Sequence, residues 1–240
     1  MSETKKEVSS AVQRIRKTGL RRRPPNEVRD LPMALARSGG RVRLLSTCLV
    51  HETDGTPPLL EGFVVGYDVR TSVRDAADER PVFRRERVAA TFGTMEYPDK
   101  PPDVRVYGNS SLFLPGIRTI ARVPSFLIAD LSEEAIAFLG CSGSDVHVSL
   151  SCLYTDKYDK WKMDLAFFVA QVHHMLTCDP NILNYVADAM NHEAAVWFAK
   201  HRKILSLPLE SPLDAPGATS PGASGDAQDT ISSFPVEEVE

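Results

Sequence analysis

The chain has 240 residues, 42% of them hydrophobic and 25% charged, with a net charge of −4, which suits one globular domain with a sizeable core and a tail. No run approaches ~18 apolar residues, no apolar stretch follows the charged start SETKKEV, and Cys48, Cys141, Cys152 and Cys178 show neither Cys-x-x-Cys nor finger spacing. These features speak against a membrane span, a secretory signal, a structural zinc site and a disulfide framework, and they point to a reducing cytoplasm.

The net charge conceals two opposite ends. Residues 1–40 carry ten Lys/Arg and four Asp/Glu, while residues 206–240 carry seven Asp/Glu and no Lys/Arg. In chain order, residues 3–18 read as a basic helix. Val8, Val12 and Ile15 recur at helical spacing, and Gly19 and Pro24-Pro25 are expected to end it. Residues 26–40 read as a connector closing at Gly39-Gly40.

Four strands follow, at 42–50, 62–70, 82–92 and 103–108, separated by turns rich in Asp, Gly and Pro. Consecutive strands with short turns predict an antiparallel meander, and helices before and after it make the class α+β. Residues 109–146 read mostly as loop, with one short helix in ADLSEEAIAFLG. Asp130 with Glu133 fits a capping box there, and Gly140 fits the stop. VHVSLSC alternates like a strand ending at Cys152.

Residues 162–177 predict a helix that buries a stripe of Leu165, Phe168, Val169, Val172 and Leu176, widened by Phe167 and Met175. Asp179-Pro180-Asn181 stops it. Residues 191–205 predict a last helix capped by Asn191, with Ala194, Trp197, Phe198, His201 and Leu205 on one side. Residues 207–240, rich in Pro, Ser, Gly, Ala and Asp, read as a disordered acidic tail, leaving one domain over 1–206.

Two motifs carry chemistry. EYPDKPPDVRV (96–106) fixes a rigid proline turn between the third and fourth strands. Cys152-Leu153 then stands nine residues before Trp161, and the long helix closes on Asp179-Pro180-Asn181. Together these resemble ubiquitin-conjugating enzymes, in particular members from bacterial ubiquitin-like conjugation operons. The resemblance covers roughly residues 3–205 and implies a UBC-like fold: an N-terminal helix, a four-stranded antiparallel meander and C-terminal helices.

It further implies that Cys152 is the nucleophile. The thiol would accept a ubiquitin-like protein as a thioester from an activating enzyme and yield it to an amine on a protein substrate. Without the family, a core cysteine at a strand end is the plainer reading of Cys152. Cys48 and Cys178 read as core, and Cys141, in a Gly/Ser loop, is the rival nucleophile.

The family's His-Pro-Asn, whose amide supports the oxyanion, is missing. Leu114-Pro115-Gly116 stands at its expected distance from Pro101-Pro102, and 50 residues separate Pro102 from Cys152. That gap implies an insertion or a remodelled flank within 109–146. His147 and Asp156 are auxiliary candidates for orienting or deprotonating the amine, with Asp159 beside Asp156 and Asn109 and Asn181 more remote. Arg14, Arg16, Lys17 and Arg21 on the basic helix would steer the activating enzyme.

No metal or organic cofactor is expected. His173 and His174 are adjacent on a helix and point about 100° apart, which makes no joint metal site. No nucleic-acid or membrane partner is expected either. The alternatives are a non-catalytic UBC-like or RWD-like binding module, and a cysteine hydrolase pairing Cys152 with His147.

Overall fold

The computed structural model describes residues 23–50, 59–74, 81–124, 131–140, 145–151, 158–181, 189–201 and 208–210. Its architecture is mixed α+β. The helix expected over 3–18 lies outside the described residues, as does the tail expected over 207–240 except for residues 208–210, which are held against the domain by Leu209 and Glu210.

The first described helix (α1) covers residues 23–35, where the sequence suggested a connector. Pro24 and Pro25, expected as breakers, stand inside it. Proline's fixed φ is itself a helical angle, so it is compatible with a helix wherever its missing N–H is not needed. Val28, Leu31 and Leu35 recur at helical spacing and are buried. A single 3₁₀ turn, Ala36–Ser38, then ends at Gly39 and Gly40, both at positive φ, which glycine adopts without a Cβ clash.

Among the described residues seven strands form one antiparallel sheet: β1 (Val42–Val50), β2 (Leu59–Arg74), β3 (Pro81–Gly93), β4 (Asp103–Gly108), β5 (Ser111–Leu112), β6 (Ile117–Pro124) and β7 (Asp145–Ser151). The order across the sheet is β1-β2-β3-β4-β7-β6, and β5 pairs with the far end of β2. The expected four-stranded meander is therefore present, enlarged by two strands on its β4 side. β6 falls in a stretch whose composition suggested loop. Its register slips between Thr119 and Ala121, and such an irregularity breaks the clean alternation that marks a strand.

The sheet is covered on both faces. Phe63, Val65, Tyr67, Val88, Ala90 and Phe92 line one face and pack against α3 (Leu165–Leu176). All five residues of the expected stripe on α3 are buried, together with Met175. Tyr67 is fully buried there and donates its hydroxyl to the carbonyl of Val169 at 3.1 Å. On the opposite face Val64, Ala89 and Tyr107 meet Leu131, Ala135 and Leu139 of the short helix α2 (Glu133–Leu139) and its approach. The cap of α2 is Ser132, which accepts from Ala135 N–H, not Asp130; Gly140 closes the helix in the left-handed region as expected.

The last helix, α4 (His192–Lys200), is capped by Asn191, as expected. It places Phe198 edge-on to Phe83 and stacks it with Phe113, which fastens the helix to the ends of β3 and β5. No described helix is long and apolar enough to cross a membrane.

Candidate functional site

The chain reaches the candidate cysteine along β7. Its last residue, Ser151, pairs with Ile117 at the start of β6. Ile117 closes a tight turn with Leu114, its N–H donating to the Leu114 carbonyl at 3.2 Å, so the turn contains Pro115 and Gly116. Leu114-Pro115-Gly116 thus flanks the strand end that immediately precedes Cys152. The long interval in sequence is taken up by an excursion through β6, α2 and β7 that returns to its point of departure.

Cys152 and Asp156 lie outside the described residues, as do Cys141 and the basic residues Arg14, Arg16, Lys17 and Arg21. His147 is placed by its backbone in β7, opposite Gly108 of β4 and Arg122 of β6.

The chain from residue 158 onward is held by a dense polar joint. Tyr158 donates its hydroxyl to the carbonyl of Pro98 at 2.7 Å, and Lys160 pairs with Asp99 at 3.0 Å. The Tyr97-Pro98 bond is cis. Glu27 of α1 is the hub. One carboxylate oxygen accepts the Tyr97 hydroxyl at 2.7 Å and the Leu165 N–H at 2.9 Å, and the other pairs with Arg23. Arg23 also donates to the carbonyls of Lys160 and, at 3.2 Å, Met163. Burial, then the hydrogen bond and the charge of Glu27, raise the Tyr97 phenol far above its ordinary range, against the opposing charge of Arg23. Tyr158 is pushed up to about 12, again chiefly by burial. Both phenols are therefore fixed as neutral donors.

So the proline turn, α1 and the start of α3 clamp the segment 158–165, while β7 holds the other end. Trp161 rides on the outside of this joint, 76% exposed, with the Lys160 ammonium 5.5 Å from its ring.

The remaining sequence candidates do structural work. Asp159 accepts the Trp161 N–H at 3.0 Å and pairs with Lys162 at 3.5 Å, which caps the turn. Asn109 donates to the Leu139 carbonyl at 2.5 Å, at the end of α2. Asn181 donates to Asp179 at 3.0 Å and so closes the Asp-Pro-Asn turn. Asp179 also accepts from His174 at 2.7 Å. Burial alone would raise its carboxyl, but the Asn181 N–H and His174 outweigh it and hold it below the usual range.

The two described cysteines part company. Cys178 is buried, as expected, at a positive φ of 58°, and burial pushes its thiol far up. Cys48, expected in the core, is exposed. β1 is an edge strand whose register shifts between Leu44 and Ser46 and again after Cys48, so its outer half turns away from the core. The Cys48 thiol donates to Glu61 at 3.1 Å. That bond, then burial and the carboxylate's charge, raise its pKa, which makes it a poor nucleophile. Among the described residues no three His, Cys, Asp or Glu side chains converge as metal ligands would.

Glu27 was not singled out from sequence, although Arg23 and Glu27 stand at i,i+4 spacing. Its acceptance of bonds from β3–β4 and α3 depends on long-range packing that no local pattern announces. No family model, curated protein or solved structure matches this chain.

Proposed function

We propose that this chain is a ubiquitin-like-protein conjugating enzyme with a UBC-like fold, in which Cys152 carries the modifier as a thioester. The observation that carries this reading is the pairing of Ser151 with Ile117. It puts Cys152 next in the chain to a residue held against the Leu114-Pro115-Gly116 turn, the place the family pattern assigns to the cysteine's flank. The clamped segment 158–165 and the position of α3 across the meander support the same reading.

In the proposed cycle the Cys152 thiolate attacks the carbonyl of the modifier's thioester with the activating enzyme. The carbon–sulfur bond to that enzyme breaks, and its thiolate leaves. A substrate amine then attacks the new thioester, a carbon–nitrogen bond forms, and Cys152 leaves as thiolate while the amine gives up a proton. Asp156, four residues on, is the proposed acceptor of that proton. Gly116 stands where the family has asparagine and brings no side-chain amide to the oxyanion, which favours a second reading as a non-catalytic UBC-like binding module.

The test is a loading assay with activating enzyme, nucleotide and modifier, resolved without reductant. The enzyme reading expects a reductant-sensitive adduct that becomes a stable ester in Cys152→Ser, disappears in Cys152→Ala and persists in Cys48→Ser. Absence of any adduct, with modifier binding retained, would establish the binding module instead. Asp156→Asn should leave loading intact and slow discharge to free lysine by about 10²-fold, read as the half-life of the adduct.

A further inference from the structure

Beyond Tyr67, β2 has no β1 partner, and its outer edge is satisfied piecemeal. The Asp68 N–H donates to the Arg41 carbonyl at 2.8 Å, and the Ser72 carbonyl accepts from Phe113 N–H at 2.9 Å. Between them the Arg70 N–H donates at 3.1 Å to the carboxylate of Glu210. Glu210 also pairs with Arg85 at 2.8 Å and Arg41 at 3.6 Å, and its side chain is only 7% exposed. A carboxylate thus stands in for a neighbouring strand. The Leu209 N–H, bonded to the Thr177 carbonyl at 2.8 Å, fixes the chain's approach to that seat.

The seat borders an arginine-rich face. Arg70 lies opposite Arg85 and Asp68 opposite Arg87 in the β2–β3 ladder, while Arg43 lies opposite Gly66, two residues along the same face. Arg43 and Arg87 both rest on the Phe138 ring, at 4.8 and 5.9 Å. All four arginines are exposed. Like charges set opposite one another repel. Asp68 and Glu210 answer part of that charge, through Arg85 and Arg41. Among the described residues the guanidinium groups of Arg43 and Arg70 pair with no carboxylate.

The chain that continues from residue 210 has the complementary charge. Residues 211–240 hold six Asp/Glu and no Lys/Arg, five of the six at Asp226, Asp229, Glu237, Glu238 and Glu240. The geometry points to the face of Arg43, Arg70 and Arg87 as the docking surface for this acidic segment, residues 226–240, with Glu210 as its fixed root. A 15-residue connector spans roughly 20 Å as a flexible chain, while Gly66 to Arg70 covers only ~13 Å of strand. Tethering supplies a local concentration on the order of millimolar, so weak, salt-sensitive ion pairs suffice. The face would open to an acidic partner only when that partner displaces the segment. This inference does not depend on the thioester reading.

Nuclear magnetic resonance on the ¹⁵N-labelled full chain tests it. In about 20 mM salt the amide signals of 226–240 and the side-chain Nε–H signals of Arg43, Arg70 and Arg87 should differ from their positions in about 500 mM salt, where screening releases the segment. The variant Arg43→Gln/Arg70→Gln/Arg87→Gln should show the released segment signals already at low salt. Neutralising the segment (Asp226→Asn, Asp229→Asn, Glu237→Gln, Glu238→Gln, Glu240→Gln) should release the arginine signals without touching the folded domain. Segment signals that ignore both salt and the arginine substitutions would overturn the proposal. So would a single-stranded oligonucleotide that moves the arginine signals equally in the wild type and the neutralised variant, because the face would then be a nucleic-acid surface that the segment does not occupy.

Discussion

His173 is 4% exposed within α3, and its Nδ1 has no hydrogen-bond partner. Burial, followed by the nearby His174 and Arg41, lowers its pKa from 6.5 to about 4. The unfolded chain therefore takes up this proton near pH 6.5 and the folded chain only near pH 4. The stability concerned is present in full above pH 6.5 and is lost as pH falls through that window. A shift of this size is worth about 2–3 kcal/mol by pH 4. Urea midpoints measured from pH 7.5 to 4.5 should fall steadily in the wild type, and His173→Leu should flatten that slope. An equal slope in the variant would assign the acid sensitivity to other groups. At the same scale, local order is what a sequence displays. The spacing of Cys152-Leu153 and Trp161 is visible there, and the role proposed for Cys152 rests on it. The exposure of Cys48 is not visible there, because it follows from a register shift against β2 that only the pairing reveals.

Among the elements, α1, the proline turn and the start of α3 are joined through one carboxylate. Removing Glu27 leaves the Leu165 N–H without its acceptor, the Tyr97 hydroxyl with only the Met163 carbonyl at 3.3 Å, and Arg23 without its carboxylate. Unsatisfied buried donors cost about 1–3 kcal/mol each. Glu27→Ala should therefore destabilise by roughly 3 kcal/mol, while Glu27→Gln, which keeps one carbonyl acceptor, should lose about half of that. Denaturant unfolding checks the order, and equal losses would mean that the hub acts through packing alone. On the other face α2 leans on a glycine. A Cβ at Gly66 would sit 2.8 Å from the Phe138 ring and 3.0 Å from Leu45. Gly66→Ala should push α2 off the sheet and cost about 1–3 kcal/mol, visible as faster amide exchange over Glu133–Leu139. Helices α3 and α4 were legible because apolar stripes and caps are local. α1 was misread because its prolines look like breakers. The cap of α2 was misplaced by two residues because Asp130 and Ser132 are both good caps, and only the observed turn decides between them.

At the scale of the molecule, strands 42–50 and 103–108 were legible to the residue and 82–92 to within one residue at each end, whereas 62–70 fell short of β2 by three residues at one end and four at the other, and the order β1-β2-β3-β4 followed from their short connections. What the sequence could not display is the return of β7 to the edge of β4. That pairing joins residues 105–108 to 147–150 across an intervening strand and helix, and nothing local records it. The resulting sheet is graded. β2 and β3 are paired on both sides over Phe63–Tyr67 and Val88–Phe92, with α3 on one face and α2 on the other. Among the described residues β6 is an outer strand, paired with no strand but β7. Opening an outer strand exposes one ladder, whereas opening β2 or β3 dismantles both cores, so the two regions should differ in the free energy of opening. Hydrogen exchange followed by mass spectrometry should find peptides over 63–67 and 88–92 exchanging last, at the rate of global unfolding, with 117–124 at least about tenfold faster. Equal protection of β6 and β3 would mean that the excursion folds as one unit with the meander, and the flank of Cys152 would then be as rigid as the centre of the sheet.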